Sequence, residues 1–329
     1  MIKTIRWAAL AGALAIGLTA CGGEAPTSSS ADDYPDGQID LTVGFGAGGA
    51  LDLVARGLTD NVEDPFQISV LNREGAGGTI AASEVVNDDP DGYGAYMAST
   101  TIMTAQPHRI EGLAYDDPST YTPLLRVVSF PQVLAVKADE TFTSISDVVA
   151  AAQADPGSFT VGTGGEGTIG HLTLESVADE VEFPYTHVPF QGFSESVPAL
   201  LGGQVRAVMA TPADVLPYVE SGDMKAVAVF SEERSEALPD TPTVKEEGID
   251  VVQDNYYFVV LPPDVDPDVA SALADALHSA MEQPDFVELA EGSGARLDYA
   301  DSAELTEQLE ADYDKFGEII ERLGLGPTE

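Results

Sequence analysis

The sequence predicts an α/β protein built as two similar domains facing a cleft. Strand-like and helix-like stretches alternate along the chain. Several of the strand-to-helix turns are glycine-rich, and the same kind of unit occurs twice before helices return at the end. Alternation of this kind gives parallel sheets with helices on their faces, and ligand binds at the C-terminal ends of the strands.

The chain opens on an export signal, residues 1–20. Lys3 and Arg6 give a positive start, and Trp7 to Ala20 is apolar. Its 14 residues are too few to cross a bilayer, which takes about 20. The run ends Leu18-Thr19-Ala20-Cys21, which resembles the bacterial lipobox, where cleavage leaves a lipidated cysteine at the new N-terminus. Cys21 is the only cysteine, so no intrachain disulfide can form. Residues 21–33 are rich in Ser, Gly, Pro and acid without apolar periodicity, and read as a flexible tether after the lipidated Cys21. Acyl chains on that cysteine predict anchoring to the outer face of the cell membrane.

The net charge is −42, and loss of the signal leaves 12 basic residues against 56 acidic ones. Nucleic-acid binding is thereby disfavoured, because phosphate contacts need basic patches. A hydrophobic content of 44% argues for a packed fold despite the charge. Such a surface is expected of a protein living in concentrated salt, where the screening length falls to about 3 Å at 1 M.

The first unit reads strand Ile39–Phe45, helix Leu51–Asn61, strand Gln67–Leu71, helix Thr79–Val86, a turn at Asp88 to Gly92, and strand Tyr93–Ala98. The second begins with strand Gln132–Val136. Ser144-Ile145-Ser146-Asp147 reads as a capping box opening a helix that stops by Pro156-Gly157. Strand Phe159–Val161, a helix containing His171, Leu172 and Val177, and strand Tyr185–Val188 follow. Then come helix Ser196–Leu201, strand Val205–Met209, helix Ala213–Ser221 and strand Met224–Phe230. Strand-like Tyr256–Leu261 precedes three helices: Pro267 to about Gln283, Asp285–Glu291, and one capped by Asp301 that ends near Gly324.

Three loops carry the chemistry. Gly44 to Gly49 and Gly75 to Gly78 each follow a strand and lead into a helix, as does Gly162 to Thr168. Glycine lets backbone N–H groups approach a ligand, and a helix N-terminus adds free N–H groups and partial positive charge. Two such turns on adjacent parallel strands would grip a carboxylate without Arg or Lys. Gly44-Phe45-Gly46-Ala47-Gly48-Gly49 also matches G-x-G-x-x-G, but an exported protein lacks a pool of dinucleotide, and the second glycine turn is no part of that fingerprint. No cofactor is predicted. Asp52 complements the helix dipole or contacts the ligand, Arg73 reads as structural or surface, and His187 reads as core. Catalytic signals are thin: there is no G-x-S-x-G elbow, and His108, His171, His187 and His278 lack metal-ligand spacing. Asp264, Asp266 and Asp268 alternate like a calcium loop, but Val269 stands where that loop needs glycine. The balance moves toward binding rather than catalysis.

From Tyr34-Pro35 to about Gly324 the chain resembles the Bug receptors, the extracytoplasmic solute-binding proteins of tripartite tricarboxylate transporters. The carrying segments are Gly44-Phe45 through Asp52, Asn72 through Gly78, Pro90-Asp91-Gly92-Tyr93, His187 through Gly192, Leu200 through Val205, and Leu238 through Val244. The resemblance implies a two-domain Venus-flytrap periplasmic-binding-protein fold, type II, with the ligand cleft between the lobes. The chain would cross near Val128–Gln132 and near Gln253–Tyr256, so that 34–130 and 255–329 form domain 1 and 131–254 domain 2. It implies that Phe45, Gly46, Gly48, Gly49, Asp52, Gly75, Gly77, Gly78 and Thr79 hold the ligand's carboxylate, largely through backbone groups. Gly164, Gly165, Thr168, His171, Phe190, Gln191, Gly192 and Thr211 would close over it. The family usually has proline at the positions of Gly44 and Glu74, and an acid at that of Arg206.

The sequence is therefore read as a lipid-tethered receptor, monomeric, that captures a small organic carboxylate and hands it to membrane carrier subunits. A carboxylate sensor for a membrane signalling system and a surface enzyme acting on a small acid are the alternatives.

Overall fold

The computed structural model describes residues 34–190 and 192–327; the signal segment 1–20, Cys21, the tether to residue 33 and Gln191 lie outside them. The first unit runs β1 (Gln38–Val43), α1 (Ala50–Asp60), β2 (Gln67–Asn72), α2 (Thr79–Val86), β3 (Gly94–Ser99) and the short α3 (Thr100–Thr104). β1 pairs in parallel with both β2 and β3. The reason is visible in the pattern: Ile39, Leu41 and Val43 fall on one face of β1, and Leu51, Val54 and Leu58 on one side of α1, and these six bury each other.

β4 (Thr122–Pro131) and β5 (Val133–Lys137) are separated by Gln132 alone, yet belong to different sheets. Then follow α4 (Ile145–Ala154), β6 (Phe159–Thr163), α5 (Ile169–Glu180), β7 (Tyr185–Pro189), α6 (Phe193–Leu201), β8 (Ala207–Ala210), α7 (Pro212–Glu220) and β9 (Met224–Val229). β10 (Asp254–Leu261) returns to the first sheet, trailed by α8 (Pro267–Met281), α9 (Pro284–Gly292), β11 (Arg296–Ala300) and α10 (Ser302–Leu323). The first sheet is ordered β11-β4-β10-β3-β1-β2 and the second β7-β6-β8-β5-β9.

Neither sheet is wholly parallel, which corrects the expectation from alternation. β10 runs antiparallel to β3 and β4, and β5 antiparallel to β8 and β9. These strands join the two sheets directly, with no βαβ crossover to impose a parallel partner. Each sheet carries an apolar core on either face. A further small core joins the two halves: Ala105, Ile169 and Leu172 meet Phe316, Ile319 and Ile320 of α10. Beside it Arg322 of α10 donates to Glu175 and to Asp179 of α5, each at 2.8 Å.

Of the cap signals, the Ser144–Asp147 box is half formed: Ser144 accepts from the Asp147 amide to open α4, but the Asp147 carboxylate accepts from the Thr143 amide and hydroxyl. Asp301 accepts from the Ala303 and Glu304 amides to open α10, and Gly324 ends α10 in the left-handed region. Asp266 caps α8 through the Asp268 amide.

Candidate functional site

The first glycine turn is held from below by a buried carboxylate. Asp52, in the opening turn of α1, accepts from the Gly48 amide at 2.8 Å, from Arg56 Nε at 3.0 Å and from Asn72 Nδ2 at 2.7 Å. Asn72, at the end of β2, also donates to the Phe45 carbonyl at 3.0 Å, and Arg56 returns a bond to Asn72 Oδ1 at 2.8 Å. Burial pushes the Asp52 carboxyl up, but the hydrogen bonds from Arg56, Gly48 and Asn72 and the guanidinium charge outweigh it and hold the group below its ordinary range. Asp52 is thus turned into the base of the loop rather than toward the cleft. Arg73 forms an exposed ion pair with Glu84.

The second turn packs beside the first. Thr79 Oγ1 donates to the Ala76 carbonyl at 3.0 Å, and the buried Tyr96 hydroxyl donates to the Gly78 carbonyl at 3.1 Å. Gly77 and Gly78 sit at φ +65° and +95°, which glycine adopts without strain. The Glu74 carboxylate rests against Gly46, 2.8 Å from where a Cβ there would stand.

The loop before α5 is built around two stacked histidines. The rings of His171 and His187 lie 3.7 Å apart and 16° from parallel. The Gly167 amide donates to His171 Nδ1 at 3.1 Å, and His187 Nε2 lies 2.7 Å from Thr163 Oγ1, which accepts from the Gly165 amide. Thr168 Oγ1 donates to the Gly165 carbonyl at 2.8 Å. Burial, then the neighbouring His187, push His171 down to about 4, with Arg109 acting the same way and Glu175 only partly offsetting them. His171 is therefore a neutral brace beneath the loop at ordinary pH.

Between the sheets lies a cavity of about 370 Å³. Phe45, Gly49, Ala50 and Leu51 line it from the first turn and α1. Gly164, Thr168, Ile169 and Gly170 line it from the loop and start of α5, and Gly192 and Phe193 from the start of α6. Ser99, Thr101, Asn255 and Tyr257 complete it. Among the described residues no Lys, Arg, His, Asp or Glu lines it.

Three helices, α1, α5 and α6, present their N-termini to this cavity, and none has a side-chain cap bond. Elsewhere α4, α8 and α10 are capped by their own side chains, and α7 by the Thr211–Asp214 pair, while α2, α3 and α9 also lack a side-chain cap. The first N–H groups of a helix have no intrahelical acceptor. The cavity therefore concentrates unused backbone donors and partial positive charge in apolar surroundings.

Of the residues read from sequence, Phe45, Gly49, Gly164, Thr168 and Gly192 line the cavity. Gly46, Gly48 and Asp52 form or brace the first turn, and Gly165 and His171 the loop before α5, but none of them lines the cavity itself; nor do Gly75, Gly77, Gly78 and Thr79 of the second turn, which meets the first turn where Gly78 approaches Gly44. Phe190 packs over Gly162 instead, and Thr211 is engaged with Asp214, donating through Oγ1 at 2.5 Å. Gln191 lies outside the described residues. The reading missed Ala50, Leu51, Ser99, Thr101, Ile169, Gly170, Phe193, Asn255 and Tyr257. The rule that selected the first two turns, the C-terminal end of a parallel strand, would also have selected Ser99 and Thr101 at the end of β3. Asn255 and Tyr257 lie on an antiparallel crossing strand, and no such rule reaches them.

Comparison with known proteins places this architecture. Residues 53–325 match the family described as tripartite tricarboxylate transporter family receptor, TctC. A UPF0065 protein from the gbd 5' region of Cupriavidus necator is 34% identical over 327 residues, covering 96% of this chain and 95% of that one. The crystal structure of a TctC solute binding protein from Polaromonas, solved without ligand, superposes with a TM-score of 0.80 at 27% identity, covering 88% of this chain and 99% of that one. A more distant R. palustris protein solved with adipate shares the fold, with a TM-score of 0.73 at 23% identity over 90% of this chain and 100% of that one. With a match this long and the two-sheet architecture in common, the chain belongs to the TctC family of tripartite tricarboxylate transporter receptors.

Proposed function

We propose that this protein is an exported, lipid-anchored receptor that captures a small organic carboxylate in the cleft between its sheets and delivers it to a membrane carrier. The observation that carries this reading is the convergence of three helix N-termini without side-chain caps on a cavity with no charged side chain among the described residues. Backbone donors at contact distance favour an anion, and the surrounding apolar surface strengthens them by excluding water. The family's receptor description and the adipate held by a protein of the same fold support it.

In this reading residues 34–130 and 255–329 make one lobe, 131–254 the other, and Gln132 and the segment before Asp254 are the hinges. Closure is driven by a ligand that contacts both lobes, since only differential affinity for the closed state shifts the balance. Cys21 carries the acyl anchor, the tether gives reach, and the protein works as a monomer.

The test is calorimetric titration of the purified protein with a panel of organic acids and their amides in high salt. Binding of an acid but not of its amide is the expected result; a preference for cationic or uncharged solutes would refute the assignment.

A further inference from the structure

Three aromatic side chains from three parts of the fold line the cavity, and each keeps accessible surface. Phe45 comes from the first glycine turn, Phe193 from the start of α6 and Tyr257 from β10. Phe45 is 40% exposed, and Phe193 and Tyr257 are half-buried. Aromatic rings carry large apolar areas, so a ligand that takes this surface out of water is favoured.

Each ring is set by its own neighbours. Phe45 Cε2 lies 3.5 Å from where a Cβ on Gly78 would stand, so the second turn, which does not line the cavity, backs this ring. Phe193 Cε1 and Cζ lie 3.6 Å from the Cβ position of Gly164, so its ring covers the loop before α5. Tyr257 packs against Phe130 with ring centroids 4.9 Å apart. The rings also stand beside the backbone donors. Phe193 is the first residue of α6, and Phe45 lies in the turn that leads into α1. An anion bound at those helix N-termini would carry its next atoms straight onto aromatic surface.

We infer that Phe45 and Phe193 are specificity residues that clamp the ring of an aromatic monocarboxylate, with Tyr257 as the third contact. Aromatic rings pack on one another offset or edge-on, which is worth about two- to tenfold in affinity per pair beyond the area covered. A second carboxylate would be desolvated with no Lys, Arg or His among the described lining residues. A compact hydroxy acid would set polar groups against Phe45, Leu51, Ile169 and Phe193 and cover little of them. Phe45 belongs with the first sheet and Phe193 with the second, so one ring held between them touches both lobes and favours closure. This deepens the carboxylate reading and rests on it.

The experiment is calorimetry of the purified protein in high salt. Benzoate, phenylacetate and 3-phenylpropionate are each compared with the saturated-ring acid of the same length, with the 4-carboxy derivative and with the amide. Succinate, malate and citrate are added as compact polycarboxylates. At least one aromatic acid should bind at least about tenfold more tightly than its 4-carboxy derivative and the compact acids, and at least about threefold more tightly than its saturated counterpart. Phe45→Leu and Phe193→Leu should each weaken that acid about three- to tenfold while the saturated acid changes by less than about twofold, because leucine keeps the surface apolar and removes only the ring. Tighter binding of the polycarboxylates, or a saturated acid that binds as well as the aromatic one, would overturn this inference and leave the carboxylate reading standing. Aromatic selectivity that survives both substitutions would overturn it too. Amides that bind as well as the acids, or binding of no acid at all, would overturn both. The wild-type ranking decides the ligand class even if a variant fails to fold.

Discussion

Gly44 lies so close to Gly78 that a Cβ on Gly44 would stand 2.5 Å from the Gly78 Cα and 2.8 Å from the Tyr96 hydroxyl. The two glycine turns therefore touch backbone to backbone. Gly44→Ala should cost about 1–3 kcal/mol in denaturant unfolding and weaken ligand binding, because the turns must separate. Gly48 and Gly77 differ: a Cβ at either meets nothing within 4 Å, but their φ values are +85° and +65°. Gly48→Val or Gly77→Val should abolish binding by displacing the local backbone while the protein stays folded. Unchanged affinity in both would remove the turns from the site.

Asp52 touches the loop rather than the cleft, so its role separates binding from contact. Asp52→Asn keeps the shape but removes the charge that Arg56 faces and places a donor against the donors of Gly48 and Asn72. A stability loss of about 1–3 kcal/mol is expected, with weaker binding. Because the folded carboxyl titrates below its ordinary range, its contribution is complete above that range and disappears as pH falls through the lowered value. The wild type should lose this increment in acid and the variant should not, as denaturant melts across pH would show.

His171 sets a second pH dependence, at higher pH. Its Nδ1 accepts the Gly167 amide, so protonation there breaks the bond that shapes the loop. The folded group sits near 4 against an ordinary 6.5, so its contribution is complete above about 6.5 and is lost as pH falls toward 4. Asp254 acts oppositely: burial lifts it to about 6, so its contribution is complete at low pH and is lost as pH rises through 6. The informative quantity is therefore the wild type minus His171→Gln. Between pH 6.5 and 4 that difference should shrink by on the order of 3 kcal/mol. Parallel curves would show that the brace does not titrate.

With 56 acidic residues against 14 basic ones, self-repulsion should dominate in dilute buffer. The melting temperature should rise steadily between 0.1 and roughly 2 M NaCl as the screening length shortens. Equal stability at both ends would defeat the assignment to a salty habitat.

If Cys21 carries the anchor, Cys21→Ser should move the exported protein from the membrane fraction to the soluble one. Mass spectrometry of the wild-type N-terminal peptide should show acylation.

The first half of the first sheet was legible because its physics is local. Ile39, Leu41 and Val43 alternate, Val54 and Leu58 recur at helical spacing, and glycines punctuate the turns between, although Leu53, read onto the same side of the helix, is exposed and Leu51 takes its place in the core. β4 was not legible. Thr122–Pro131 contains two prolines and shows no period, because this central strand is buried on both faces and neither selects polar residues. β11 is a short edge strand, and α3 has five residues, too few for a period to show. At the site, the first glycine turn and the loop before α5 were readable as parts of the cavity wall, whereas the second turn does not line it. The staple of Asp52, Arg56 and Asn72 was not, since it joins residues 20 apart through side-chain geometry.

The sequence alone determined the element order of the first unit, the caps at Ser144 and Asp301, and a pair of glycine-rich strand-to-helix turns. Each is a matter of neighbouring residues, where backbone preference and short-range hydrogen bonds decide. Only the tertiary structure decided that β5 and β10 run antiparallel, that the N-termini of α1, α5 and α6 share one cavity, and that Asn255 and Tyr257 of β10 line it. Those facts depend on which strands meet across long stretches of chain, and no local preference records that choice.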